Sequence, residues 1–167
     1  MFDKNFYPTP HHVALKMIKG LEIGRKTILE PSAGKGDLLE VISNKYDTKI
    51  YCIEKNSELR EFLKSKDKGY RVIGEDFLRF ESDIVFDIIL MNPPFDNGTR
   101  HFLKAWEISE NGTEIRCLLN AESIKNPYTK ERELMLKIIE DNNGTVEYLG
   151  NCFNNAERAT EVEVALV

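Results

Sequence analysis

The residues with the clearest chemical purpose are Asn92-Pro93-Pro94-Phe95, which directly follow the apolar run Phe86-Asp87-Ile88-Ile89-Leu90-Met91. At the carboxyl end of a buried strand, this order sets fixed acceptors at the mouth of a sheet. Each proline locks φ and carries no N–H, so the turn is stiff and offers acceptors with few competing donors. Such a corner suits a planar, conjugated amine. The lone pair of that amine is delocalised into the ring or carbonyl bearing it, which makes it a poor nucleophile. Acceptors from the Asn92 side chain and the Pro93 carbonyl can hold both amine hydrogens and favour pyramidal geometry. The lone pair is then released to attack an electrophile. Phe95 offers an aromatic face to the flat group that carries the amine. The competing interpretation is a strand closed by a proline turn, with Phe95 returned to the core.

The elements that must position this corner alternate between strand and helix. Thr9-Pro10 reads as a helix start, a hydroxyl N-cap followed by proline at the first helical position. Val13, Ala14, Met17, Ile18 and Leu21 then recur at helical spacing. Strands are predicted at 26–30, 50–54, 71–74, 85–91 and 114–120, and helices at 37–44, 58–66, 100–108 and 129–141. Two last strands, 145–149 and 162–167, have no helix between them. Three Asn-Gly-Thr triplets beginning at Asn97, Asn111 and Asn143 read as turns before new elements. The pattern predicts an α/β fold, a doubly wound and mostly parallel sheet with helices on both faces. The final hairpin predicts an antiparallel last strand at one edge.

Ligands on such sheets bind outside the carboxyl ends of the strands. Glu30, Glu54, Asp76 and Asn92 each stand at or just past a strand end. Gly34-Lys35-Gly36, after the first strand, lets backbone approach a ligand closely. Two glycines do not make the fuller pyrophosphate-binding glycine pattern, so a dinucleotide is poorly supported. Glu54 is placed to hold both ribose hydroxyls of a nucleoside, and Asp76 to accept from an adenine amine, with Phe77 beside it as a stacking surface. Taken singly, Glu54 also fits an exposed charge and Asp76 a turn cap. Their joint placement favours a nucleoside cofactor.

Glu30-Pro31-Ser32-Ala33-Gly34-Lys35-Gly36-Asp37, Glu54, Glu75-Asp76-Phe77 and Asn92-Pro93-Pro94-Phe95 resemble the motifs of S-adenosylmethionine-dependent amino-methyltransferases. The nearest likeness is to adenine-N6 DNA methyltransferases with an N-terminal Thr-Pro cofactor motif, here Tyr7-Pro8-Thr9-Pro10. The resemblance spans the chain in order and implies a Rossmann-like sheet of seven strands. It implies a cofactor site for S-adenosylmethionine built from Tyr7, Thr9, Glu30, Pro31, Ser32, Ala33, Gly34, Gly36, Glu54, Asp76, Phe77 and Asn92. The residues matching Thr9, Gly34 and Gly36 surround the methionine part. Leu149-Gly150-Asn151-Cys152-Phe153, before Thr160, is similar to a loop whose aromatic stacks on an extruded base. The implied substrate site therefore sandwiches adenine between Phe95 and Phe153, although Phe153 reads equally as a core anchor of the hairpin. Thr9 is open to both helix capping and a ligand contact. Base flipping into the pocket followed by methyl transfer to N6 is the implied reaction, with Asn92, Pro93, Pro94 and Phe95 as its catalytic residues and no metal.

Composition sets the outer limits. At 167 residues the chain reads as a single catalytic domain over 1–167. Such domains usually append a target-recognition region, which this sequence lacks, so a recognition domain or subunit outside the chain is expected. A net charge of −5 tells the same story, because a protein that holds duplex DNA alone usually shows a basic face. The hydrophilic stretches 96–100 and 122–130 are the local candidates for substrate contact. No apolar run approaches a membrane span and no signal-peptide pattern opens the chain, so cytoplasm is the expected location. Cys52 and Cys117 lie in apolar runs and read as small core residues. His11, His12 and His101 are not needed as bases, and His12, beside an apolar helix face, reads as structural. Two rivals remain: an RNA amino-methyltransferase acting on adenine or guanine, and a non-catalytic cofactor-binding subunit of a modification complex.

Overall fold

The computed structural model describes residues 7–66, 68–153 and 162–167. Its first half contains α1 (His11–Ile18), β1 (Thr27–Glu30), α2 (Asp37–Ser43), β2 (Lys49–Ile53), α3 (Ser57–Ser65) and β3 (Arg71–Gly74). A 3-10 turn, Phe77–Arg79, leads on to β4 (Ile88–Met91), α4 (Gly98–Glu107), β5 (Glu114–Asn120), α5 (Glu122–Lys125) and α6 (Lys130–Asp141). The chain closes on β6 (Glu147–Gly150) and β7 (Val164–Leu166). Among the described residues the strands form one seven-stranded sheet, in the order β3-β2-β1-β4-β5-β7-β6. β1 to β5 are mutually parallel, and β7 runs antiparallel to both of its neighbours.

Alternation along the central strands divides the interior into two cores. Ile28, Ile88, Leu90 and Leu118 face α1 and α2, packing with Val13, Met17, Leu38 and Ile42. Their sequence neighbours Leu29, Ile89, Met91 and Leu119 face α4 and α6, packing with Phe102, Ala105, Met135 and Ile139. All four residues of β4 are buried, as a strand covered on both faces requires. Cys52 and Cys117 are wholly buried, and burial pushes the Cys52 thiol up to about 12, with Glu30 and Glu54 adding to the effect.

Four expectations are corrected. The antiparallel last strand is not at an edge: β7 sits between β5 and β6, and β6 is outermost. The burial of Val164 and Ala165 against the exposure of Glu147 and Tyr148 explains the order, since the apolar strand needs neighbours on both sides. The hydrophilic stretch 122–130 is not all loop, because α5 occupies Glu122–Lys125. His12 is exposed rather than packed, and Thr9 does not cap α1, whose N-cap residue is Pro10.

The chain winds one way from β1 through β2 to β3 and then returns to β4 on the other side of β1. The gap between β1 and β4 is thus the switch point, where the two connecting loops diverge and leave a crevice. Gly34 and Gly36, in the loop after β1, have φ of 55° and 85°. A Cβ at Gly36 would stand 2.9 Å from Leu63 Cδ2 of α3. Gly36→Ala is expected to destabilise the domain by about 1–2 kcal/mol from its left-handed backbone alone, read as a lower urea midpoint at unchanged slope.

Candidate active site

The carboxyl ends of β1 to β4 open onto a cleft of about 640 Å³. Among the predicted residues, Tyr7, Pro31, Ser32, Asn92, Pro93 and Pro94 line it on the β1 and β4 side. Glu54, Asp76 and Phe77 line it on the β2 and β3 side. Thr9, Glu30, Ala33, Phe95 and Phe153 are buried behind these walls. The glycine turn is closed by Gly36 N–H donating to the Ala33 carbonyl at 2.7 Å, while Ala33 N–H donates to Ile53 of β2 at 3.0 Å.

Asn92 is held by the segment that precedes α1. Its Nδ2 donates to the Tyr7 carbonyl at 2.9 Å and to Thr9 Oγ1 at 3.0 Å. A carbonyl only accepts, so the Tyr7 contact determines which end of the carboxamide is nitrogen. Both donors are spent, and Oδ1 is the end that remains to accept. Behind it the Pro94 carbonyl accepts Asn97 N–H at 2.9 Å, which fixes the turn leading into α4.

Three carboxylates at adjoining strand ends are treated differently by their surroundings. Glu54 accepts from two backbone amides, Gly34 N–H at Oε2 and Asn56 N–H at Oε1, both at 2.7 Å. It therefore ties the glycine turn to the start of α3, and each oxygen keeps a lone pair for a further donor. Asp76 Oδ1 accepts Leu78 N–H at 3.0 Å and so caps the 3-10 turn. Glu30 is 2% exposed, and its Oε2 is the one buried side-chain polar atom without a hydrogen-bond partner among the described residues. Burial, then the nearby charges of Asp37 and Glu54, hold its carboxyl well above the usual carboxylate range.

The aromatic residues are arranged differently from the expected sandwich. Phe95 and Phe153 meet edge to face, with centroids 5.5 Å apart at 89°. No slot for a flat ring lies between them in this conformation, and Phe153, wholly buried, anchors the core. The ring stacked on Phe95 is that of Tyr7, at 5.5 Å and 27°. Phe77 is 2% exposed and packs against His101 at 5.9 Å. Thr160, expected beside the Phe153 loop, lies outside the described residues.

His101, which the sequence reading considered only as an unneeded base, lines the cleft. Its Nδ1 pairs with the Asn97 carbonyl at 2.9 Å, and because a carbonyl only accepts, Nδ1 carries the hydrogen. Burial lowers its pKa, against the opposing effects of the Asn97 bond, Asp76 and Asp96. The ring is thus neutral near pH 7, with Nε2 as an acceptor in the cleft wall. The available signal was an imidazole next to Phe102 on the buried stripe of α4. Lys55, Asn56 and Leu59 also line the cleft, brought there by the turn from β2 into α3. Among the described residues, no cluster of His, Cys, Asp or Glu is placed to hold a metal ion, and no helix is long and apolar enough to cross a membrane.

No family model matches the sequence. The chain is 30% identical over 95 residues to ribosomal RNA small subunit methyltransferase A of Pelagibacter ubique, a match covering 54% of this chain and 36% of that protein. It thus aligns with little more than a third of the length of this curated relative. The fold is that of class I methyltransferases. A structure provisionally described as a class I S-adenosylmethionine-dependent methyltransferase from Listeria monocytogenes matches with a TM-score of 0.70 at 16% identity, over 99% of this chain and 61% of that one. A Pyrococcus horikoshii protein, provisionally described as an RNA methyltransferase, gives a TM-score of 0.62 at 20% identity, over 96% and 83% of the two chains. Phosphoethanolamine N-methyltransferase 2 of Haemonchus contortus, solved with S-adenosylhomocysteine, gives 0.63 at 16% identity, over 90% and 42%.

Two outcomes check this geometry. Glu30 has a raised folded-state pKa, so the stability gained by keeping it protonated is complete below the unfolded value and lost as pH rises through the folded one. Glu30→Gln has no such loss, and denaturation of the ligand-free protein should show the variant gaining on wild type from mildly acid to mildly alkaline pH. Phe153→Ala should cost about 3–5 kcal/mol of unfolding free energy, as for a large buried aromatic; an unchanged denaturation midpoint would show that the ring does not anchor the core.

Proposed function

We propose that this chain is an S-adenosylmethionine-dependent methyltransferase acting on an exocyclic base amine, adenine N6 foremost, in RNA. The observation that carries the reading is the orientation of the Asn92 carboxamide. With Nδ2 held by the Tyr7 carbonyl and Thr9 Oγ1, Oδ1 is left as an acceptor, and Asn92 and Pro93 both line the cleft. Two rigid acceptors at the end of a strand match the two hydrogens of a planar amine. They leave no donor there to compete for its lone pair.

The cleft residues fit the proposed cofactor. Its volume of about 640 Å³ suits a nucleoside with an amino-acid tail. The buried, unsatisfied Glu30 carboxyl behind the glycine turn suits the polar groups of that tail. Glu54, fixed by two amides, is preorganised for the ribose hydroxyls, while Asp76 and Phe77 flank the adenine end. The bound cofactor supplies an electrophilic methyl group on a sulfonium. Asn92 and Pro93 hold the amine in line and pyramidal, and Glu54 fixes the ribose. Positioning of this kind supplies on the order of several kcal/mol of the barrier reduction, without a covalent adduct to the chain.

RNA is preferred over DNA because the curated relative is named for ribosomal RNA. A DNA substrate is favoured by the likeness of Tyr7 to Pro10 and Asn92 to Phe95 to adenine-N6 DNA methyltransferases. Radiolabelled methyl transfer into matched pools of RNA and DNA separates them: label in RNA supports the first reading, and label in DNA alone replaces it with the second. Cofactor binding by calorimetry with no transfer into either pool would instead indicate the non-catalytic subunit. Asn92→Ala should lower the transfer rate by about a hundredfold or more, the scale of loss when a reacting group is misplaced by an ångström. A variant that transfers methyl groups at the wild-type rate would refute the role given to the carboxamide.

A further inference from the structure

The surface beside the cleft carries two tyrosines, each with a cation over its ring. Tyr128 is 78% exposed, and the Arg132 guanidinium lies 4.5 Å from its centroid. Tyr148 is 46% exposed, and Lys125 Nζ lies 4.8 Å from its centroid. Lys125 and Tyr128 are three residues apart, which bounds their separation at about 11 Å. Lys125, the last residue of α5, lies over the Tyr148 ring and precedes Tyr128 by three residues, so both pairs belong to the surface around the end of α5, called the ridge below.

Hydrogen bonds brace the loop that carries Tyr128. Asn126 Nδ2 donates to Glu122 Oε2 at 2.7 Å, and its carbonyl accepts from Tyr128 N–H at 2.9 Å and from Arg132 Nη1 at 3.1 Å. Thr129 caps α6 through Arg132 N–H, and Pro127 fixes φ in the middle of the turn. A single exposed aromatic needs no explanation. An exposed tyrosine on a pinned loop, backed on one face by a guanidinium, is a preformed stacking surface with its other face open.

The ridge also adjoins the catalytic corner. Arg100, five residues beyond Phe95, donates through Nε to both oxygens of Glu131, each at 3.3 Å. That contact joins the first turn of α4, which follows the Asn92 to Phe95 turn, to the first turn of α6, which follows Tyr128. The two hydrophilic stretches separated in sequence thus converge on one side of the cleft mouth.

We infer that this ridge is a platform for single-stranded nucleic acid, on which the open face of Tyr128 stacks an unpaired base neighbouring the target nucleotide. The inference rests on the nucleic-acid reading of the cleft. Three of the nearby cations are already engaged, so the inference is carried by stacking. Lys125 is paired with Glu163 at 2.6 Å, Arg100 with Glu131, and Arg132 is engaged with Tyr128 and Asn126. Every base offers a π-face, so the platform accepts many sequences, and a paired base inside a duplex cannot reach it. Arg132 strengthens the stack by polarising the ring from behind.

Fluorescence anisotropy with a short labelled single-stranded RNA, and with the DNA of the same sequence, tests the platform in the presence of saturating S-adenosylhomocysteine. Tyr128→Ala should weaken binding roughly ten- to a hundredfold, Tyr128→Trp should preserve or tighten it, and calorimetric affinity for S-adenosylhomocysteine should not change in either. Because no charge is removed, the salt dependence of binding should be the same for Tyr128→Ala as for wild type. Wild-type affinity in Tyr128→Ala overturns the platform and leaves the reading of the cleft intact. If wild type binds S-adenosylhomocysteine but neither RNA nor DNA, the nucleic-acid reading fails and the platform with it.

Discussion

The contact on which the site depends is the pair of hydrogen bonds from Asn92 Nδ2 to Tyr7 and Thr9, residues 85 and 83 positions away in the chain. A free carboxamide can present either its oxygen or its nitrogen to a ligand. Only an acceptor-only partner on one side removes that freedom, and the Tyr7 carbonyl is one. The rest of the architecture keeps the two parties in register. β4 is buried along its whole length and delivers Asn92 to the sheet edge, while α1, packed on the β1 and β4 side through Val13 and Met17, delivers the preceding segment. The apparent N-cap threonine is used for this contact, and the helix begins from Pro10 instead.

A second constraint is electrostatic. Glu30, Glu54 and Asp76 stand at or just beyond the ends of three adjacent strands, and like charges in a partly dry crevice disfavour one another. The structure resolves this by giving each acid a different role. Glu54 stays a hydrogen-bond acceptor for two amides and Asp76 accepts from the backbone of its own turn. Glu30 Oε2 has no hydrogen-bond partner among the described residues, and burial holds the carboxyl well above the usual carboxylate range.

The aromatic cluster shows why a residue's type and its role must be separated. Phe95 and Phe153 pack edge to face and share their core with Tyr7, so their energy goes first into holding the loop after β4 against the loop after β6. Tyr7 lies on the Phe95 face that sequence reasoning had reserved for a base. The same N-terminal segment therefore orients the asparagine through its backbone and covers the phenylalanine through its side chain.

Much of the design was legible from residue order alone. Apolar runs of strand length separated by helical periods require a parallel sheet, because only buried strands can be apolar on both faces, and the polar residues that end them must then lie along one edge. That argument placed Glu30, Glu54, Asp76 and Asn92 along one edge; Glu54, Asp76 and Asn92 line the cleft, and Glu30 is buried. Residue order could not show that β7 enters between β5 and β6, since hairpin strands of similar composition differ only in which is buried by neighbours remote in sequence. Nor could it show that Thr9 serves Asn92, that Phe153 meets Phe95 edge-on, or that His101 reaches the cleft. Local patterns determine which residues share an element and a face. Hydrogen-bond partners across more than eighty residues are decided by how the elements close around a common interior.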